Sequence, residues 1–370
     1  MTAKKVLFIV QLPPPIHGAS TMNQIVCNRV KKHLNYNCRT ISLNFARDLS
    51  DLQKIRVGKI LKAIAIYFRI CWSLLSFRPD IVYFSMVPLN FVLFRDALYL
   101  LTIKLLRLRV RPIIHLHRPG LYEFNKKWSL DWLYRLLFRR CTIVHLTPAL
   151  MQREVLSLHL KNVKYFVIPN SVVLADNENN NTLRNKYNIL FLSNLLPHKG
   201  YKILVEAIAS LRVEFPDIRL SIAGPALNQE TIDNLKKFID KQGVSDIVSI
   251  KGKVSGQAKD ELFNNSGILV LPSKLEYFPM VILEAMSNNV AVITSGRENL
   301  SGTFTDGDHL LFVDKIDSEE VAKKLRLLLT DDALLSKIAL NGHKRWLELQ
   351  GESERLIDEL FMTHGNSSQH

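Results

Sequence analysis

Short apolar runs alternate with longer segments of helical periodicity along the whole chain. Residues 5–11 (KVLFIVQ) read as a first buried strand, and 80–84, 112–115, 142–145 and 165–168 read as four more. Segments 20–30 and 52–77 carry apolar residues at helical spacing between them. A polar patch at 175–182 (ADNENNNT) has the composition of a linker. A second series follows it, with strands predicted at 189–193, 219–223, 248–250, 268–271 and 290–294, and helices at 201–215, 229–242 and 279–287. Segments 318–329 and 331–360 are helical, the second expected to break at Gly342 and Gly351. Strands alternating with helices in both halves predict an α/β protein of two doubly wound, Rossmann-like domains with mostly parallel sheets. The boundaries expected are 1–172, 173–345, and a C-terminal helix at 346–370 that packs back across the domains.

The stretch 271–294, LPSKLEYFPMVILEAMSNNVAVIT, holds the most specific chemistry. Pro279 suits the first turn of a helix, where its missing N–H costs nothing. Ala, Leu, Glu and Met sustain the helix to about Ser287, and the two asparagines end it. Glu276 then precedes a helix N-terminus and Glu284 lies inside the helix, roughly 12 Å further along at 1.5 Å per residue. The unpaired N–H groups of the first turn between them are ready for an anion.

Composition changes the picture in one respect. Residues 1–170 carry 27 Lys and Arg against 7 Asp and Glu, whereas 171–370 carry 22 against 27, so the net charge of +15 belongs to the first half. Such asymmetry favours an anionic partner, a membrane surface or nucleic acid. Basic and aromatic residues interleave through 52–77, which reads either as a helix pressed on anionic lipid or as a core-facing helix with a basic outer face. The apolar stretches 60–77 and 91–108 are both interrupted by charges and too short to span a bilayer. The opening segment lacks the build of a signal peptide, so a cytoplasmic chain, at most peripheral on a membrane, is expected. The four cysteines show no metal-ligand spacing and read as free thiols.

Two further candidates sit at predicted strand ends. Gly18 and Ala19, after the first strand, would let backbone approach a ligand, or simply form a turn. His117 lies where the strand at 112–115 gives way to a loop, a usual place for ligand contacts in such sheets.

These residues resemble those of a known family. PSKLEYFPMVILEAM resembles the E-x7-E segment of the retaining family 4 glycosyltransferases of GT-B fold, those that assemble polysaccharides. The loop near Gly18, His117, the IPNS turn at Asn170, FLSNLLPHKG, AGP at Gly224 and DGDHLLFV follow in the family's order. The resemblance implies two Rossmann-like domains facing across a cleft, the first for the acceptor and the second for a nucleotide sugar. It implies that Glu284 binds the ribose hydroxyls, that Glu276 contacts the donor sugar, and that N–H groups around Phe278, Met280 and Val281 hold the diphosphate. Lys199 would pair with that diphosphate as it leaves, and His117 would approach the donor sugar from the opposite domain. Two positions depart from the pattern: Asn194 stands where the family often has arginine, and Tyr277 replaces a common small glycine.

The activity implied is transfer of a sugar from a UDP- or GDP-linked donor, with retention, to a lipid-linked glycan acceptor in bacterial surface polysaccharide synthesis. No metal or other cofactor is expected, since a helix N-terminus and Lys199 supply the positive charge. Asp306-Gly307-Asp308 has the spacing of a metal site but falls in a loop where a turn is the simpler reading. The basic first half suits an anionic membrane surface and a polyprenyl-diphosphate acceptor. The alternatives are a GT-B epimerase or phosphorylase, and a noncatalytic binder of anionic polymer. No nucleic-acid motif supports the last, and no nucleic-acid partner is expected.

Overall fold

The computed structural model describes residues 3–45, 57–88, 90–172 and 184–366. The chain divides into two units, one of residues 1–171 with 350–370 and the other of 172–349. The boundaries expected from the pattern, 172/173 and 345/346, lie close by in the sequence.

The first unit begins with β1 (Lys5–Val10), α1 (Gly18–Lys32), β2 (Asn37–Ser42), α2 (Val57–Ser76), β3 (Ile81–Met86) and α3 (Asn90–Leu106). It continues through β4 (Ile113–Leu116), α4 (Leu121–Trp128), α5 (Asp131–Phe138), β5 (Thr142–His145), α6 (Pro148–Glu154) and β6 (Lys164–Val167). The six strands form one parallel sheet in the order β2-β1-β3-β4-β5-β6. Strands β3, β4 and β5 are buried along their whole length, as parallel strands covered on both faces must be. That is why they read as short, mostly apolar runs rather than as alternation.

The second unit holds β7 (Asn188–Leu192), α7 (Tyr201–Leu211), β8 (Arg219–Ala223), α8 (Gln229–Lys241), β9 (Val248–Gly252) and α9 (Gln257–Asn264). Then come β10 (Ile268–Leu271), α10 (Met280–Ser287), β11 (Ala291–Thr294), α11 (Arg297–Leu300), β12 (Leu311–Phe312), α12 (Ser318–Thr330) and α13 (Asp332–Asn366). Its sheet, also parallel, runs β12-β11-β10-β7-β8-β9. The strand order reverses between β7 and β10, so the loops that leave these two neighbours diverge and open a crevice at their carboxyl ends. Two parallel-sheet Rossmann-like units in tandem are the GT-B architecture.

Three expectations change. The last helix does not break: α13 is continuous over 35 residues. A Cβ at Gly342 would lie 3.0 Å from the His309 carbonyl and 3.2 Å from the Met286 side chain, so this glycine admits close packing rather than ending the helix. The first helix starts two residues earlier than its pattern, at Gly18, because His17 caps it: the Ser20 N–H donates to His17 Nδ1 (3.2 Å) and the His17 N–H to Ser20 Oγ (3.0 Å). Gly18 and Ala19 therefore form the first turn of α1 rather than a loop. Pro279 is the N-cap of α10, extended at φ −70° and ψ 128°, not its first helical residue. The linker patch at 175–182 and the segment 52–56 of the expected helix 52–77 fall outside the described residues.

Candidate functional site

The site of the second unit is assembled at the reversal of its sheet. After β7 the chain makes a 3-10 turn, Pro197–Lys199, and enters α7 through Gly200, whose φ of +80° only glycine adopts without strain. A Cβ on Gly200 would collide with the Pro272 carbonyl oxygen, so the loops after β7 and β10 touch at this point. They are also stitched: the Lys274 N–H donates to the His198 carbonyl at 2.8 Å, and Ser273 Oγ to the same oxygen at 3.2 Å. Gly224, after β8, plays the same part on the other flank, since a Cβ there would strike the Ser193 carbonyl beside Asn194.

This scaffold brings Lys199 and Glu276 together. Lys199 Nζ lies 2.9 Å from Glu276 Oε1, with the carboxylate side chain 5% exposed. The Glu276 backbone is fixed from the far side, where its carbonyl accepts from Asn299 Nδ2 at 2.5 Å and Gly296 packs against it. In α10, the N–H groups of Met280 and Val281 precede the first helical bond, Ile282 N–H to the Pro279 carbonyl (3.2 Å). They carry the positive end of the helix dipole. Phe278 is buried, its ring stacked on Phe304 at 5.8 Å, and so anchors the entry of the loop into α10.

Glu284 is the fifth residue of α10, about one turn inside it, because the helix starts at Met280. Its Oε1 accepts from Lys259 Nζ at 2.6 Å. Sequence reasoning missed Lys259. It lies on α9, 25 residues away, and no spacing rule connects the two; only the adjacency of α9 and α10 does. Both acids of the E-x7-E segment thus carry a lysine partner. Asn194 is half-buried and its carbonyl accepts from the Leu196 N–H at 2.8 Å. The arginine nearest in sequence to Gly296, Arg297, is held by Asp314 (2.8 Å) and Asp306 (2.7 Å). Asp306 is thereby a structural partner, and Asp306–Leu310 closes as a turn through Gly307 at φ +72°. Among the described residues, no group of three or more His, Cys, Asp and Glu could hold a metal ion.

A cavity of about 480 Å³ opens at the carboxyl ends of β10, β11 and β12, lined by Ser273, Lys274, Ser295, Arg297, Glu298 and Asp314 among others. It shares Gly296 with the flank of Glu276. Its size suits a small polar molecule, and its hydroxyls and charges suit one rich in hydrogen-bonding groups.

In the first unit His117 follows β4 directly. Its Nε2 lies 3.0 Å from Asn23 Oδ1, and Asn23 Nδ2 donates to the Gln11 carbonyl at 3.0 Å. With the amide oriented by that carbonyl, Nε2 carries the proton. The ring stacks on His115 at 3.9 Å. Burial, then the neighbouring His17, push His117 down to about 3, so it is neutral near pH 7. Its Nδ1 is buried without a partner. Gly18 and Ala19 lie at the mouth of α1, beside the reversal of this sheet between β1 and β3.

The comparisons with known proteins agree with this architecture. Residues 175–345 match the family described as glycosyl transferases group 1. Mannosylfructose-phosphate synthase of Agrobacterium fabrum (strain C58 / ATCC 33970) is 24% identical over 239 residues, 60% of this chain and 52% of that protein. The capsular polysaccharide biosynthesis glycosyltransferase CapM of Staphylococcus aureus is 27% identical over 189 residues, 49% of this chain and 48% of its own. The chain spans about half the length of these two relatives. Among solved structures, Anabaena Alr3699/HepE in complex with UDP and glucose superposes with a TM-score of 0.70 at 15% identity, over 98% of this chain and 100% of that one. That is a likeness of fold.

Proposed function

We propose that this chain, whose residues 175–345 match the group 1 glycosyl transferases, moves a sugar from a nucleotide-diphosphate donor to a glycan acceptor, with retention, in the manner of family 4. The observation that carries the reading is the pairing of Lys199 with Glu276 at the sheet reversal, beside the N-terminus of α10. An anionic diphosphate laid against Met280 and Val281 meets the helix dipole, and Lys199 can turn from Glu276 to the phosphate oxygens. Glu276, relieved of its lysine, is then a hydrogen-bond acceptor for hydroxyls of the donor sugar, and the adjoining cavity offers room for that sugar. Glu284 accepts from the ribose hydroxyls while Lys259, 2.6 Å from its Oε1, holds it in place.

Chemically, the bond between the anomeric carbon and the diphosphate oxygen breaks as the acceptor hydroxyl attacks from the same face. A diphosphate oxygen takes the hydroxyl proton, and a glycosidic bond and a nucleoside diphosphate result. Lys199 and the helix mouth stabilise the charge that develops on the leaving group, so the scheme calls for no metal. Asn194 donates a neutral hydrogen bond where the family's second cation would stand.

The donor is UDP- or GDP-linked; the fold relative above holds UDP and glucose. The acceptor is a polyprenyl-diphosphate-linked glycan of a bacterial surface polysaccharide, a product class shared with the capsular relative. The enzyme works from the cytoplasmic face of the plasma membrane, as a peripheral protein drawn there by its basic first half. A thermal-shift panel of UDP, GDP and their sugars tests the reading: stabilisation by at least one diphosphate is expected, and none by any would overturn it.

A further inference from the structure

Helix α2 is apolar on the side away from the core as well as on the side toward it. Ile66, Ile70 and Leu74 are buried in the cluster beneath the sheet, whereas Ile60, Leu61, Ile64, Phe68, Trp72 and Leu75 are 48–70% exposed. At 3.6 residues per turn these six fall within about a third of the helix circumference. A helix that is hydrophobic all round is ordinarily covered on every side.

The surface extends beyond α2. Helix α3 packs alongside it, joined by the Tyr67–Tyr99 stack at 6.3 Å and the bond from Tyr99 Oη to the Ala63 carbonyl, and it exposes Phe94, Leu98 and Leu105 one above another. Helix α5, anchored to α3 where Lys104 Nζ donates to the Leu136 carbonyl at 2.6 Å, adds Trp132 (67% exposed) and Leu136. Trp128 at the end of α4 is 57% exposed. Isolated exposed apolar residues are common on soluble proteins, but a patch spread over neighbouring helices marks an interaction surface.

Charge says what covers it. Residues 57–140 carry 15 Lys and Arg against 4 Asp and Glu. Lys62 and Arg69 are exposed on α2 at the border of its apolar arc, and Lys126, Lys127, Arg135 and Arg139 are exposed on and after α4 and α5. A second copy docked by twofold symmetry would bring this basic border against itself. Among the described residues no helix is long and apolar enough to cross a bilayer. Exposed tryptophans within a ring of cations are the composition of an element that lies in the interface of an anionic membrane.

We infer that the outer face of α2, α3 and α5 is a membrane-seating surface, with Phe68, Trp72 and Trp132 entering the headgroup boundary and the surrounding Lys and Arg meeting anionic lipid. This names the surface behind the membrane placement proposed above, but it stands on exposure and charge alone. The test uses the full chain with vesicles of phosphatidylglycerol and phosphatidylcholine, and with phosphatidylcholine alone, in a sedimentation assay. Binding to the anionic vesicles is expected, with tryptophan fluorescence quenched by brominated lipid. A Phe68→Ser/Trp72→Ser variant, altered only at exposed positions, should bind at least tenfold more weakly, and Lys62→Glu/Arg69→Glu should lose the preference for phosphatidylglycerol. The inference fails if the chain stays in solution with anionic vesicles or if the serine variant binds like the parent. It also fails if light scattering shows a dimer that the serine substitutions dissociate. A chain that binds vesicles yet ignores every nucleotide diphosphate would sustain this inference and overturn the transfer reading.

Discussion

Lys199 Nζ and Glu276 Oε1 stand 2.9 Å apart on loops that leave adjacent parallel strands, β7 and β10, at the point where the sheet changes direction. Each group compensates the charge of the other. Removing Lys199 leaves a nearly buried carboxylate without its cation, at a cost of about 1.5–3 kcal/mol for a charged hydrogen bond. Lys199→Met should therefore lower the urea midpoint modestly and abolish the thermal shift given by a nucleoside diphosphate. A variant that retains the full shift would remove Lys199 from the site.

Glu284 is mostly covered, and its carboxylate accepts from Lys259 Nζ at 2.6 Å. Glu284→Ala should leave the melting temperature within a few degrees while the response to nucleotide disappears. Comparing UDP with 2′,3′-dideoxy-UDP isolates the ribose contribution: the parent chain should prefer the ribonucleotide several-fold, and the variant should bind both alike. Equal preference in parent and variant would assign Glu284 another role.

Gly200 offers a test of the scaffold rather than the chemistry. Its positive φ and the Pro272 carbonyl against its α-carbon leave no room for a methyl group. Gly200→Ala should cost several kcal/mol, the range of substitutions that combine strain with overpacking. Chemical denaturation measures it; a change below about 0.5 kcal/mol, the ordinary surface value, would mean that the two loops separate easily.

The distance between what the pattern revealed and what it hid is instructive at this site. The E-x7-E spacing, the strand before it and the helix after it were legible because period and propensity act over neighbouring residues. The Lys259–Glu284 pair was not, because it depends on α9 packing against α10 across 25 residues of chain. The start of α1 was hidden for a different reason: an imidazole nitrogen does the capping that hydroxyl and carboxylate side chains usually do. On α2 the basic and aromatic interleaving could be read, but periodicity cannot distinguish a helix apolar on two faces from one that is covered. Only the exposure of Phe68 and Trp72 in the folded chain decides that.

The buried imidazoles predict acid sensitivity. Burial first, and then neighbouring cationic or imidazole groups, lower His145 to about 3, as burial and His17 lower His117 to about 3. An unfolded chain takes up these protons as pH falls below about 6.5, whereas the folded one refuses them until about 3. Their contribution is thus complete above pH 6.5 and declines as pH drops, each by up to about 1.4 kcal/mol per pH unit. Urea midpoints measured from pH 7.5 to 5 should fall, and His145→Asn, which can still accept from the Leu146 N–H, should make the fall less steep. An identical slope in the variant would exclude His145 as a source.

Helix α13 carries a consequence for how the chain is made. Ile357, Leu360 and Phe361 pack into the cluster formed by Val6, Phe8, Met22 and Val26, and Arg29 pairs with Glu354 and Asp358. On the ribosome, β1 through β6 emerge early but must wait for these last turns before their core is filled. Residues 172–349 make up the other unit from one continuous stretch of chain. The second unit can finish folding while the first is still incomplete, so the order of synthesis and the order of maturation run in opposite directions.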